Sequence, residues 1–332
     1  MLWIEKYRPQ SFDAIIGQEH VIDRLKAAPS TGSIPHLLLS GPSGTGKSAA
    51  VECLSRELYE DRQNENSTTI VVSDLFEQGK RYLEGDERYA HIYRRDESLL
   101  ANFKNITRNF ASIRPLDTEF RLLAFEGASA LPREAQQALR RTMERYSRTC
   151  RFVFITRRPS GIIPAISSRC LPFFFSPLPA ELIEKQLRFI LSNEEGDRFL
   201  LSDDELDLIV QAAGGDLRKA IMLLQVSAAS DGGAGLASSF QTETGQLARA
   251  ALAAMTFRDA GTAIRSLESL IIEHGLTSQE VLREFRTAVQ KDYPDPRVVV
   301  AIAETDYSLT HCNNEYIQLN AMVARITKEV FS

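Results

Sequence analysis

Residues Gly41 to Ser48, GPSGTGKS, set glycines, a lysine and a hydroxyl at the spacing G-x-x-x-x-G-K-[ST]. Those residue types at that spacing suit a polyphosphate. Gly41, Gly44 and Gly46 allow a tight turn whose backbone N–H groups approach a phosphate with no Cβ in the way. Lys47 would reach the β- and γ-phosphates, and the Ser48 hydroxyl would ligate Mg²⁺. Pro42, Ser43 and Thr45 complete the loop. A short motif gains weight from its context, and the context fits. Leu37–Ser40 reads as a short buried strand before the loop, and Ser48–Tyr59 as a helix after it. A helix N-terminus adds unpaired N–H groups and partial positive charge where the anion would lie. The motif therefore indicates binding of a nucleoside triphosphate. Hydrolysis is a separate question.

The elements that must position this loop alternate. Strand-like runs at Leu37–Ser40, Thr69–Val72, Leu122–Phe125 and Phe152–Thr156, with a possible fifth at Leu171–Phe175, are separated by amphipathic stretches. That pattern predicts an α/β domain with a mainly parallel sheet flanked by helices, over residues 1–175. Pro177 and Pro179 mark a change to helices. Ala180–Ser192 has helical periodicity, Ser202-Asp203-Asp204-Glu205 resembles a capping box, and another helix is expected after Gly214-Gly215-Asp216. These form a small helical domain over 176–227. The small, flexible residues of 228–241 read as a linker, and 242–332 as an all-α domain of four or five helices. The charged, Tyr-rich stretch at about 73–108 is long for a loop. It is expected to hold some helix, either as a solvated insertion or as a partner-contacting element.

Composition excludes several classes. Hydrophobic content of 43% and charged content of 25% suit a globular protein, and no apolar run reaches 18 residues, so no membrane span is expected. A formal net charge of −5 argues against a protein coated all over by DNA, but not against a local basic stripe. Cys53, Cys150, Cys170 and Cys312 are scattered, with no C-x-x-C pair, and no signal peptide is visible at the N-terminus. Reduced thiols in a cytoplasmic protein are the expectation.

Several blocks together resemble a known family. Glu5-Lys6-Tyr7-Arg8-Pro9, Ile16-Gly17-Gln18, Pro35-His36-Leu37-Leu38, Ala135-Gln136-Gln137-Ala138-Leu139-Arg140-Arg141-Thr142-Met143-Glu144, Ser168-Arg169-Cys170 and Gly215-Asp216-Leu217-Arg218-Lys219-Ala220 recur in the order found in replication factor C, the sliding-clamp loader of archaea and eukaryotes. The chain is most similar to a small subunit, and its insertion resembles that of a second, divergent archaeal small subunit. The resemblance implies an AAA+ domain, a helical lid and a collar through which five subunits form a ring. It implies ATP and Mg²⁺ as cofactors, with sibling subunits, a sliding clamp and primer–template DNA as partners. By the same resemblance Arg169 is an arginine finger acting in trans on the neighbouring subunit's ATP. Arg218 is the lid arginine on this chain's own nucleotide, and Arg8 and Ile16 lie near the adenine.

The chain departs from that family where hydrolysis is performed. The family strand ends Asp-Glu-Ala-Asp, whereas this chain reads Phe125-Glu126-Gly127-Ala128-Ser129. Aligned without a gap, Glu126 replaces the metal-steadying Asp and Gly127 replaces the Glu that polarises water. A one-residue slip would make Glu126 the base and Phe125 the metal residue. The nucleotide-sensing Asn of the next strand is replaced by Arg157. Under either alignment the site is damaged, which predicts ATP binding with slow or absent hydrolysis. A working ATPase with Glu126 as base, and another AAA+ remodelling machine, are the competing readings.

Leu131 to Arg151 carries six arginines and two acids. On one helix Arg141, Arg145 and Arg148 would fall at i, i+4 and i+7, with Leu139, Met143 and Tyr146 opposite. Such a stripe can track DNA phosphates without reading bases. A solvated face or inter-subunit salt bridges would use the same pattern.

Overall fold

Five runs of apolar residues form parallel strands in the computed structural model: β1 (His36–Ser40), β2 (Ser67–Val71), β3 (Arg121–Glu126), β4 (Cys150–Thr156) and β5 (Cys170–Phe174). The structure describes residues 1–30, 34–89, 92–115, 118–194, 202–229, 243–312 and 314–331. The sheet order is β2-β3-β4-β1-β5, all neighbours parallel. The strands lie within two residues of their expected places. Val72 was expected to end the second strand but instead begins a helix, Val72–Gln78.

Alternation along each strand builds two cores, one on each face. Leu38, Leu123, Phe125, Phe152 and Phe154 point to one side. Leu37, Leu39, Leu122, Ala124, Val153 and Ile155 point to the other, where Val51 and Leu54 of the helix Lys47–Tyr59 cover them. Both faces are apolar because helices cover both, as a parallel sheet requires.

The stretch at about 73–108, expected to hold some helix as a solvated insertion or a partner-contacting element, does hold helix and is largely folded onto the first core. It forms the helices Val72–Gln78, Lys80–Glu84 and Leu99–Ser112, and buries Leu75, Leu83, Tyr89, Phe103 and Ile106. Asn102 is fully buried because its amide bridges Arg94 N–H and Arg94 C=O, both at 2.8 Å. That pair ties the preceding turn to the last helix.

Three helices follow the sheet: Ala180–Asn193, Asp203–Ala213 and Leu217–Ala229. The expected capping box is present, with Ser202 Oγ accepting from Glu205 N–H and the Glu205 carboxylate accepting from Ser202 N–H. Gly214 closes that helix with φ 57°. Ala228 and Ala229 complete the third helix rather than begin a linker, and the rest of the expected linker lies outside the described residues. Contacts divide the chain into two units, Met1–Asp231 and Gly232–Ser332. The second shows five helices among its described residues: Glu243–Thr256, Ala260–Ile272, Ser278–Asp292, Pro296–Leu309 and Glu315–Glu329. Leu252, Leu267, Phe285, Ile302 and Val323 lie in their shared core.

Candidate nucleotide site

β1 is flanked by β4 and β5, while the chain leaves it for β2 at the far edge of the sheet. The crevice beyond the carboxyl ends of such strands is where open α/β sheets take ligands. Residues 41–46 occupy that place. Gly41, Gly44 and Gly46 have φ of 141°, 65° and 94°, conformations that other residues rarely adopt. Two are also hemmed in. A Cβ on Gly41 would stand 2.2 Å from Phe175 O, and one on Gly44 would stand 1.7 Å from Asp216 Oδ1. The helix then begins at Lys47. The loop is thus a cradle of backbone N–H groups at a helix N-terminus, and it fits a polyphosphate.

Lys47 is buried, and its ammonium donates to Pro42 O and to Thr45 Oγ1. Burial pushes its pKa down to about 8, and the nearby charges of Arg157 and Arg218 push the same way. Ser48 Oγ donates to Glu126 Oε1 at 2.6 Å. Glu126 ends β3 on the face shared with Leu122 and Ala124, toward the helix that Lys47 starts. Phe125 faces the opposite core, its ring 5.4 Å from that of Phe154 and fully buried. The geometry therefore excludes Phe125 as a metal residue. Gly127 follows with φ 68° and ψ 32° and presents no side chain.

Arg218 lies exposed in the first turn of Leu217–Ala229, close enough for its charge to act on Lys47. That helix meets the loop directly, since Leu217 N–H donates to Gly44 O at 3.3 Å. Asp216, which abuts Gly44, was not singled out from sequence; its contact is across 172 residues of chain and has no local signature. Arg8 forms a fork onto the Glu52 carboxylate of the loop helix, Nε to Oε2 at 2.9 Å. Ile16 is half-buried, and it is Ile15 that stands against Gly46.

Arg169 is on the surface, at the amino-terminal end of the sheet. Its guanidinium donates to Glu144 Oε1 at 2.7 Å and to Ala165 O at 2.8 Å. Cys170 pairs with His36 and Phe174 with Ser40, so the full length of β5 separates Arg169 from the phosphate loop. Gln136 braces the approach to Arg169. It is buried, donates to Leu131 O and Gly161 O, and accepts from Ile163 N–H at 2.8 Å.

The basic helix runs Arg133–Arg145. Arg141 and Arg145 are exposed on it, but the helix stops before Arg148, which is exposed in the turn beyond. The expected three-residue stripe therefore keeps two members on the helix. Tyr146 is the C-cap and packs against the core. Arg151 is used internally, its guanidinium over the Phe120 ring at 4.6 Å and donating to Ile34 O.

Fold and loop together define an AAA+ P-loop nucleotide-binding domain with added helical parts. Solved structures of this fold include the Aeropyrum pernix ORC1 protein in complex with DNA, at a TM-score of 0.53 and 14% identity over 93% of this chain and 82% of that one. A single-residue variant of Thermotoga maritima RuvB matches at 0.51 and 15%, over 86% and 91%. At such identity the likeness is one of fold. Sequence relatives are nearer. The replication factor C small subunit of Picrophilus torridus is 32% identical, over 98% of this chain and 97% of that relative. That of Haloarcula marismortui is 33% identical, over 98% and 95%. The small subunits 1 and 2 of Pyrobaculum arsenaticum match almost equally, at 33% and 32%, so identity alone does not sort this chain with the second. The family model for the DNA polymerase III delta subunit matches residues 17–179, and that for the replication factor C C-terminal domain matches 246–325. The chain belongs to the replication factor C small-subunit family. No described helix is long and apolar enough to cross a membrane.

Proposed function

We propose that this chain is an ATP-binding subunit of the clamp loader, and that its own site hydrolyses ATP slowly or not at all. It would work with sibling subunits in a five-membered ring that places a sliding clamp on primer–template DNA. Residues 1–175 would be the nucleotide-binding core, 176–227 the lid and 242–332 the collar. The exposed Phe257, Ile272, Tyr307 and Ile317 give the C-terminal unit apolar surface that subunit contacts would cover. Arg141, Arg145 and the adjoining Arg148 would hold DNA phosphates.

The observation that carries the catalytic half of the proposal is the Ser48–Glu126 bond beside a bare Gly127. Ser48 and Glu126 would steady Mg²⁺, together with the nucleotide's own oxygens and water. Gly41 to Lys47 and Arg218 would hold the phosphates, with Arg8 and Ile16 at the base end. No carboxylate is then left to orient the attacking water. Losing such a group costs roughly 10² to 10⁴ in rate. The alternative of Glu126 as base would require it to leave Ser48 and the metal side of the site. Arg169, a strand's length of about 16 Å from its own loop, would act on a neighbour's nucleotide.

Turnover by a ring in which every other subunit carries a Lys-to-Ala phosphate loop tests this. The expected rate per site is at least about 10²-fold below that of the unmodified ring. A rate near that of the unmodified ring would show a working ATPase.

A further inference from the structure

Residues 1–10 run between the lid helices and the phosphate-loop helix and are fastened to both. On the lid side, Gln225 of Leu217–Ala229 brackets the chain's first turn. Its Oε1 accepts from Trp3 N–H at 2.9 Å, and its Nε2 donates to Met1 O at 3.3 Å. Glu194, the C-cap of Ala180–Asn193, accepts from Lys6 Nζ at 2.7 Å and from the Tyr7 hydroxyl at 2.9 Å, both on Oε1. The Tyr7 ring meets that of Phe189 on the same helix edge-on, with centroids 6.4 Å apart. On the other side, Arg8 forks onto Glu52 of Lys47–Tyr59, and Arg56 of that helix donates to Gln10 O at 3.2 Å. Tyr7 and Arg8 are adjacent. A lid carboxylate and a loop-helix carboxylate are thus held by residues whose Cα atoms lie about 3.8 Å apart. Pro9 fixes its own φ and restricts Arg8 before it, so the link has little slack.

The lid is otherwise joined to the core where the chain leaves β5 and where it meets the loop. Gln18 is fully buried, and its amide donates to Ser176 O at 2.8 Å and accepts from Ser176 N–H at 3.2 Å. That pair pins the exit from β5. At the loop, Leu217 N–H donates to Gly44 O. With Ser176 pinned, the movement left to the lid is a swing about that point, which the first ten residues oppose. Arg218 rides on the lid, so its reach to the phosphates depends on that swing. Glu194 spends its hydrogen bonds on Lys6 and Tyr7 and acts on the loop helix only through them.

We infer that residues 1–10 are a strap that keeps the lid seated over the nucleotide, and that Glu194 is its latch, a positioning residue for nucleotide binding. The inference rests on the reading of this site as one that binds ATP. With the latch released, the lid populates positions in which Arg218 stands away from the phosphates. Apparent affinity then falls by the fraction of chains still seated. The linkage is reciprocal. Whatever the latch contributes to nucleotide binding, bound nucleotide contributes to seating the strap. Trp3 reports on that seating, because it is the sole tryptophan of the chain and is buried at the start of the strap.

Equilibrium binding of ATPγS to the full chain, with Trp3 emission recorded in the same samples, tests it. Glu194→Ala removes two bonds to one partly exposed carboxylate and should weaken binding about 3-fold to 10-fold. Glu194→Gln keeps an acceptor for Tyr7 and should lose less. The exchanged pair Lys6→Glu with Glu194→Lys should recover most of the affinity, which damage elsewhere in the lid would not allow. In nucleotide-free Glu194→Ala, Trp3 emission should move to longer wavelength, and saturating ATPγS should move it back. Unchanged affinity in Glu194→Ala, or a Trp3 shift that ATPγS does not reverse, would overturn the strap. An exchanged pair that binds no better than Glu194→Ala would do the same. Lys47→Ala separates the two readings. If it binds ATPγS as well as the unaltered chain, the nucleotide-site reading itself fails, and the inference with it. If it loses binding while Glu194→Ala does not, only the strap fails.

Discussion

Lys47 is the residue on which the phosphate cradle closes, and its protonation reports what lies beside it. Burial and the two neighbouring arginines lower its pKa to about 8. A phosphate chain next to the ammonium would favour the charged form and raise that value again. The free site is then partly deprotonated above pH 8 and the bound site is not, so binding takes up a proton there. Affinity should be fully present at pH 7 and should fall as pH rises through 8. Calorimetry at pH 9, in buffers of different ionisation heat, should show an uptake approaching about 0.9 proton per nucleotide. Binding heats that do not depend on the buffer would remove this account. The loop that holds Lys47 was legible from residues 41–48 alone, because each glycine answers a local backbone need. The role of Glu126 was not. Two alignments were open in the sequence; on β3 Phe125 faces the core and Glu126 faces Ser48, which favours the ungapped one.

At the scale of elements, β1 carries the loop, and its first residue ties it to β4. His36 Nδ1 accepts from Phe152 N–H at 3.1 Å, which requires the ring nitrogen to be unprotonated. Burial, with the Arg151 charge second, pushes the imidazole down to about 4. The unfolded chain takes up a proton near pH 6.5 that the folded chain refuses until about 4. Stability is therefore present above 6.5 and is lost as pH falls from 6.5 through 4, by at most about 3 kcal/mol. Urea unfolding midpoints at pH 7 and pH 4.5 measure this. His36→Gln should flatten the acid limb, and an unchanged limb would assign the loss to other groups. Elements with local signals were read well, notably the strands and the Ser202 capping box. The helix end at Arg145 was missed because the arginine spacing runs on through Arg148, while the chain must turn at Tyr146 to enter β4. That the insertion packs onto the core was not legible for a related reason. Its charged residues dominate its composition, but Leu75, Leu83, Phe103 and Ile106 fall on one side and reach the core.

At the scale of the whole molecule, the length of the strands separates Arg169 from the phosphate loop. The phosphate loop lies at the carboxyl ends of the strands and Arg169 at the amino end of β5. Its bond to Glu144 is a half-exposed surface pair, worth less than about 1 kcal/mol to the fold. Arg169→Ala should therefore leave the melting temperature and nucleotide affinity of this chain nearly unchanged. Turnover by an assembled ring should fall, at the neighbouring site, by on the order of 10³ or more. A loss of this chain's own nucleotide binding would instead place the arginine in cis.

The sequence by itself determined the α/β class, the phosphate loop, the helical parts that follow and the family, because each is written in local spacing or in blocks of adjacent residues. Only the tertiary structure decided which distant residues share the crevice. The order β2-β3-β4-β1-β5 brings Lys47, Glu126, Arg157 and the turn at Asp216 to one end of the sheet, although up to 169 positions separate them. Strand order depends on which apolar faces bury each other. No local pattern carries that information, and the chemistry of this site follows from it.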